Sequence, residues 1–259
     1  MKIHPTAIVD KKAKLADGVE VGPYAIIGPN VEIRKGTCIG SHVVVDGYTT
    51  IGENCRIFTG AVVGSMPQDL KYKGEKTLLK IGNNNVIREY VTLNPGTHKG
   101  SITSVGDGNL IMAYSHVAHD CVIGNGCIIA NSGTLAGHVT VEDKVVIGGL
   151  AAIHQFVRVG KMAIIGGCSK VVKDIPPFST CDGHPARVYG LNLIGLSRAG
   201  ISKEAKEALR KSFKILFHSG LAFKNAIEKV KEEVNIFEEV KYLSAFVKNS
   251  ERGVCRGGS

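Results

Sequence analysis

Residues 105–141 read VGDGNL-IMAYSH-VAHDCV-IGNGCI-IANSGT-LAGHVT-V, and every block opens on Val, Ile or Leu. The same phase runs from Ile3 through every sixth residue to Val63. It lapses at Asp69 and Glu75, returns at Ile81, Ile87 and Leu93, lapses at Lys99, and is unbroken from Val105 to Val171, 26 positions in all. A period of six fits neither the 3.6 of a helix nor the 2 of a simple strand. It is the signature of a hexapeptide β-helix, in which each block is a short strand plus a corner and the aliphatic residue stacks inside a prism. Three blocks make an 18-residue triangular coil, predicting about nine to ten coils. Gly follows the aliphatic residue at many blocks, among them Gly22, Gly52, Gly124 and Gly148, which predicts a sharp backbone turn there. Four places after it the residue is usually small, as at Ala25, Cys121, Ala151 and Ser169, fitting a crowded inner corner.

The phase survives both lapses, so the segments near 64–80 and 94–104 read as loops ejected from a prism that resumes in register. Both carry loop chemistry, Met66-Pro67-Gln68-Asp69 in one and Asn94-Pro95-Gly96-Thr97 in the other. Long excursions from a regular scaffold tend to carry function. The repeat ends near Asp174-Ile175-Pro176-Pro177, giving a prism over residues 1–190 and an α-helical domain over 191–259. Ser202 reads as an N-cap with Glu204 in the first turn. Ala205, Leu209, Phe213 and Leu216 form an apolar stripe, and His218-Ser219-Gly220 reads as the helix end. One or two further helices follow, and Glu251 to Ser259 reads as a frayed tail.

No run of about 18 apolar residues is present, so no transmembrane span is expected. The repeat begins at Ile3, leaving no room for a signal peptide. Seven Cys without a C-x-x-C pattern read as free thiols in a reducing cytoplasm rather than as zinc ligands. The net charge is +9, and residues 191–259 hold 13 Lys or Arg against 8 Asp or Glu. Lys203, Lys206, Arg210 and Lys214 make one basic stripe, either a solvated face or a landing surface for an acidic partner. No nucleic-acid module accompanies the charge.

Residues 18 apart stack at the strand spacing of about 4.8 Å. His119 therefore falls under Gly137 and Gly137 under Gln155, while Asp120 falls under His138. With His116 and His154, four of nine His gather on a few coils beside both loops. A His beneath a backbone N–H suits acyl transfer: the imidazole takes a proton from a hydroxyl and the N–H steadies the oxyanion. Asp120 could orient the imidazole. On spacing alone, surface His on an exposed wall fit equally well.

The segment Met112-Ala113-Tyr114-Ser115-His116-Val117-Ala118-His119-Asp120-Cys121 resembles the active-site strand of the acyl-ACP–UDP-N-acetylglucosamine O-acyltransferases, which begin lipid A synthesis. The likeness continues through Leu135-Ala136-Gly137-His138-Val139, His154-Gln155-Phe156, Pro67-Gln68-Asp69-Leu70-Lys71-Tyr72 and Gly190-Leu191-Asn192, nearly the whole chain. It implies a left-handed parallel β-helix, against the usual crossover rule, and a homotrimer with sites between prisms. It implies His119 as general base on the 3-hydroxyl of UDP-GlcNAc, which attacks a 3-hydroxyacyl thioester on acyl carrier protein, with Gly137 serving the oxyanion. Asp69, Lys71, His116, His138, His154 and Gln155 would line the sugar cleft, and Asn192 and Arg198 would meet the nucleotide end. Ala163 and Gly167 would set acyl length, their small size favouring a long chain, and the basic stripe would meet the carrier protein. No metal and no cofactor are implied.

The family commonly has an acidic residue at Ile194, Arg at Ala199 and His at Asn94, so the 3-amino analogue of the sugar stays open as acceptor. Three further readings compete: a sister N-acyltransferase, which usually has an additional N-terminal uridine-binding domain; a zinc carbonic anhydrase prism with His116, His119 and His138 converging across a subunit interface; and a non-catalytic scaffold.

Overall fold

A computed structural model describes residues 1–257. Strands of mostly two residues, such as His116–Val117 and Thr134–Leu135, form three sheets of 11, 9 and 8 strands, parallel except for the last strand of the first. Through Val171 consecutive strands fall in different sheets, so the chain winds as a three-sided prism; the fold is a left-handed parallel β-helix. In each short strand the second residue points inward: Ile27, Ile33, Ile51, Ile87, Ile111, Ile129, Leu135 and Ile147 are all essentially sealed from solvent. This stacked aliphatic column is the core.

Register fixes everything outside it. Lys2 pairs with Glu20 and His116 with Thr134, eighteen apart, and the amide of His116 donates to the Gly133 carbonyl of the next coil. At the first excursion Val62 pairs with Thr92, thirty apart, an excess of twelve. At the second Thr92 pairs with His116, twenty-four apart, an excess of six. Both excesses are whole blocks, which is why the sequence phase passes through them. The loops are shorter than 64–80 and 94–104, because Leu78–Ile81 and Ile102–Val105 are four-residue strands that pair along their full length.

The glycine expectation is corrected. The corners turn three residues after the aliphatic position, where left-handed backbone recurs at Tyr114 (φ 63°), Asp120 (59°), Ser132 (59°), His138 (60°) and Leu150 (60°). Gly64 alone of the glycines just after the aliphatic residue turns with left-handed backbone (φ 85°); the others answer to close approach between coils, as where a Cβ on Gly148 would lie 2.5 Å from the Gly167 nitrogen.

Past Val171 the sequence shows no pattern, yet the first sheet continues. Thr180 pairs in parallel with Ile164, and Ser179–Gly183 forms an antiparallel hairpin with Ala186–Leu191. A short helix α1 (Leu193–Arg198), capped by Asn192, is likewise missed. Helix α2 (Lys203–His218) begins where Ser202 caps the Ala205 amide, and it packs on α3 (Phe223–Glu233) and α4 (Glu238–Lys248). The tail is not frayed through Gly257. Val254 and Cys255 are buried, and the buried Asp174 carboxylate accepts from the Ser250 hydroxyl while its carbonyl accepts from the Cys255 amide. Gly258 and Ser259 lie outside the described residues. All seven Cys are free, five of them buried.

Gly148→Ala is expected to cost about 1–3 kcal/mol by overpacking. Gly190→Ala, whose added methyl meets nothing within 4 Å, should be nearly neutral. Denaturant melts of equal midpoint for the two variants would refute the close-approach reading.

Candidate functional site

His119 sits two residues beyond the inward Val117, and its imidazole lies against Gly137 of the next coil. A Cβ on Gly137 would stand 2.5 Å from His119 Nε2, so only glycine leaves the ring its place. The Gly137 N–H donates to no group among the described residues. Asp120 follows at the left-handed corner, and its Oδ2 lies 2.9 Å from His119 Nδ1. That conformation brings two adjacent residues to face one another, which ordinary extended backbone would not.

Burial pushes the Asp120 carboxyl up. Hydrogen bonds from Thr97, His119 and Ser101 and the charge of His138 outweigh it and hold the group below its ordinary value. Asp120 is therefore an anion that only accepts, which assigns the shared hydrogen to Nδ1 of His119; in the neutral imidazole the lone pair is then on Nε2. Nε2 faces Asp69 of the first loop, with Oδ2 at 3.7 Å. His138 packs edge-on against His119 with centroids 5.1 Å apart, places Nε2 3.8 Å from Asp120 Oδ2, and stacks on Phe156. Burial depresses the His138 and His116 imidazoles, and the neighbouring His119 lowers both further; for His138, Asp120 pulls partly the other way.

The expected residues fall into groups. His119, Asp120, Gly137, His138 and Asp69 converge. His116 lies on the same coil but binds Thr92 Oγ1 at 2.6 Å, one strand below. His98, in the second loop, is out of stacking register with His116. Gln155 sits one coil above Gly137, and His154 is held by Arg252 of the tail at 3.2 Å. Lys71 is exposed on the first loop, its amide turned onto Asp69 Oδ1. Asn192 and Arg198 bracket α1. The Asn192 amide is buried and spent on Met162 O and the Gly195 amide, whereas Arg198 is exposed.

Ala163 is corrected. It is fully buried inside the prism at the inner-corner position and cannot floor an external groove. Gly167 lies exposed on the outer wall, where a Cβ would meet only Gly149 O at 3.2 Å. Within the single chain His116, His119 and His138 do not share one metal-like grouping. The grouping with metal-like spacing is His119, Asp120 and His138, without His116. Thr92, Thr97 and Arg252 were not singled out by sequence; Thr97 and Arg252 lie on segments with no hexad phase.

A solenoid that offers a polarised imidazole, a free backbone N–H and two overhanging loops is a transferase of the hexapeptide class, and the bacterial transferase hexapeptide (six repeats) profile matches residues 102–137. The helical end, residues 174–255, matches the profile for UDP-N-acetylglucosamine O-acyltransferase, domain 2. The chain is 52% identical over 260 residues to the acyl-acyl-carrier-protein–UDP-N-acetylglucosamine O-acyltransferase of Thermodesulfovibrio yellowstonii, spanning 98% of this chain and 99% of that one. The same enzyme of a Synechocystis strain is 47% identical over 99% of this chain and 92% of its own. LpxA of Acinetobacter baumannii superposes with a TM-score of 0.95 at 46% identity, covering 98% of this chain and 99% of that one. This chain belongs to the acyl-carrier-protein–dependent UDP-N-acetylglucosamine O-acyltransferase family, which removes the N-acyltransferase and scaffold readings.

The depressed His sites set a pH dependence. His116 and His138 bind protons more weakly folded than unfolded, so folding stability is lost as pH falls below their ordinary 6.5. Asp120, depressed from 3.8, adds a further loss as pH falls below that value. Melting temperature should drop between pH 7.5 and pH 5, and drop less in His116→Asn/His138→Gln. An equal drop in both proteins would rule out these two groups as the source.

Proposed function

We propose that this chain transfers a 3-hydroxyacyl group from acyl carrier protein to the 3-hydroxyl of UDP-N-acetylglucosamine, the first step of lipid A biosynthesis, as a cytoplasmic homotrimer. Among the described residues no helix is long and apolar enough to cross a membrane. The observation that carries the reaction is the His119–Asp120 pair: Nδ1 lies 2.9 Å from Asp120 Oδ2, which leaves Nε2 facing outward beside Gly137. Nε2 takes the proton of the sugar hydroxyl as its oxygen attacks the thioester carbonyl. The oxyanion that forms accepts from the Gly137 N–H. Collapse breaks the C–S bond, and the imidazolium at His119 returns the proton to the departing thiolate. Asp69, 3.7 Å from Nε2, stands where a sugar hydroxyl could be gripped beside the base. Lys71, His138, His154 and Gln155 supply further polar groups around it.

Trimerisation is supported by an aliphatic outer wall. The outward residues of one sheet on five successive coils are Val86, Leu110, Ile128, Val146 and Ile164, all half-buried in the single chain. Such a continuous apolar column calls for a partner surface, and a closed ring of copies supplies one. A neighbouring prism would also bring α1, with Arg198, to a site that the single chain leaves open on one side. The exposed basic residues Lys203, Arg210 and Lys214 of α2 suit an acidic carrier protein.

Mass spectrometry of products from UDP-N-acetylglucosamine and a panel of 3-hydroxyacyl carrier proteins tests the reaction. His119→Ala should lose at least about 10²-fold in rate, and full activity in the variant would sink the general-base role. Product only from the 3-amino sugar would move the acceptor to that analogue. Wild type should prefer long donors and Gly167→Met shorter ones; an unchanged preference puts the chain ruler elsewhere. Light scattering should give three times the 27.5 kDa chain mass, and a monomer would contradict the shared cleft.

A further inference from the structure

The second loop does more than overhang the site. Its first half, Asn94 to Thr97, is buried against the wall, and Thr97 is only 2% exposed. The Thr97 hydroxyl donates to Asp120 Oδ2 at 2.7 Å, and its amide reaches the same oxygen at 3.2 Å. A Cβ on Gly96 would stand 2.7 Å from Asp120 Oδ1 and 2.2 Å from Ser101 Oγ, so this approach is open only to glycine. From below, the Thr103 hydroxyl accepts the Asp120 amide at 2.7 Å. Asp120 is thus gripped by side chains on both flanks of the loop, at a backbone conformation uncommon outside glycine.

We infer that Thr97 is a positioning residue for the transfer reaction: its hydroxyl clamps the Asp120 carboxylate so that Oδ2 stays on His119 Nδ1. The inference rests on the proposed general-base role of His119. Without the clamp the carboxylate can rotate toward His138, whose Nε2 lies 3.8 Å from the same oxygen, and the imidazole of His119 loses its fixed tautomer. A buried Thr hydroxyl with no other partner has a purely structural alternative, sealing the loop onto the wall. The two roles differ in what they change: a seal affects folding whatever residue 120 is, whereas a clamp acts only through the Asp120 carboxylate.

The experiment is a double-mutant cycle on the full-length protein, with steady-state kinetics for UDP-N-acetylglucosamine and 3-hydroxyacyl carrier protein. Thr97→Val keeps shape and removes the donor. It should lower kcat about tenfold or more, as for a lost hydrogen bond to a charged group, with KM for the sugar nucleotide unchanged. Thr97→Ser should restore most of the rate. In an Asp120→Asn background Thr97→Val should cost less than about twofold, because coupled residues are not additive. An equal loss in both backgrounds, or no rescue by Ser, would assign Thr97 to the seal and overturn the proposal. Full activity of Thr97→Val beside an inactive His119→Ala would overturn the clamp alone. Full activity of His119→Ala would remove the general-base reading, and the clamp with it.

Discussion

One constraint governs the molecule: wherever the repeat is unbroken each coil hydrogen-bonds to the next at an eighteen-residue register, so a residue's neighbours on the wall are set by counting. The backbone ladder that keeps Ile129 over Ile111 inside the prism also keeps Gly137 over His119 outside it. A one-residue slip would turn the aliphatic column outward and break up the wall cluster together. Core and site are therefore specified by the same ladder, and the site needs no separate folding determinant beyond its side chains. Its cost is local. Asp120 and His138 occupy left-handed corners, of order 1 kcal/mol each for a residue with a Cβ, and the stacked coils hold them there.

The same stacking creates an electrostatic problem that the neighbours resolve. His119 and His138 lie against each other, with His116 on the same coil; three charged imidazoles in that space would repel one another. Burial keeps His116 and His138 toward the neutral form, while Asp120, the carboxylate on His119 Nδ1, is held ionised by donors that include Thr97 and Ser101 of the loop. An anion fixed at Nδ1 of His119 favours the tautomer with its hydrogen there. Environments that push neighbouring groups apart in proton affinity are how acid and base roles are divided at a single pH.

How much could be read beforehand follows from this. Coil counting alone placed His119 under Gly137 and Asp120 under His138, because both pairs lie in an unbroken run of hexads. It also carried a warning about Ala163, four places after Val159, the inner-corner slot. Family likeness put that residue in the acyl groove, and the hexad rule, which the structure follows, puts it in the core. The glycines after the aliphatic positions mark a turn only at Gly64 and close approach elsewhere, a difference that a one-letter pattern does not show. Ser202 and the apolar stripe of α2 were legible because helix signals are local. The hairpin from Ser179 and the tail from Ser250 to Gly257 were not. Their partners, Ile164 and Asp174, are distant in sequence and share no period with them.

A prism wall is rigid but shallow, and this limits what it can do alone. Its outward side chains stand in columns, and none can fold over a substrate on its neighbour. Every group that closes on His119 or its surroundings from outside the column comes from a departure from the repeat: Asp69 from the twelve-residue excess and Thr97 from the six-residue excess. Arg252, on the tail stapled by Asp174, holds His154 on the coil above. The excursions are short and partly buried, so their reach is set by the coils that eject them. Positioning within a few tenths of an ångström is what proton transfer requires, and a loop anchored in register at both ends supplies it better than a long free one. The repeat thus serves as a ruler, and the chemistry is assembled where the chain leaves it.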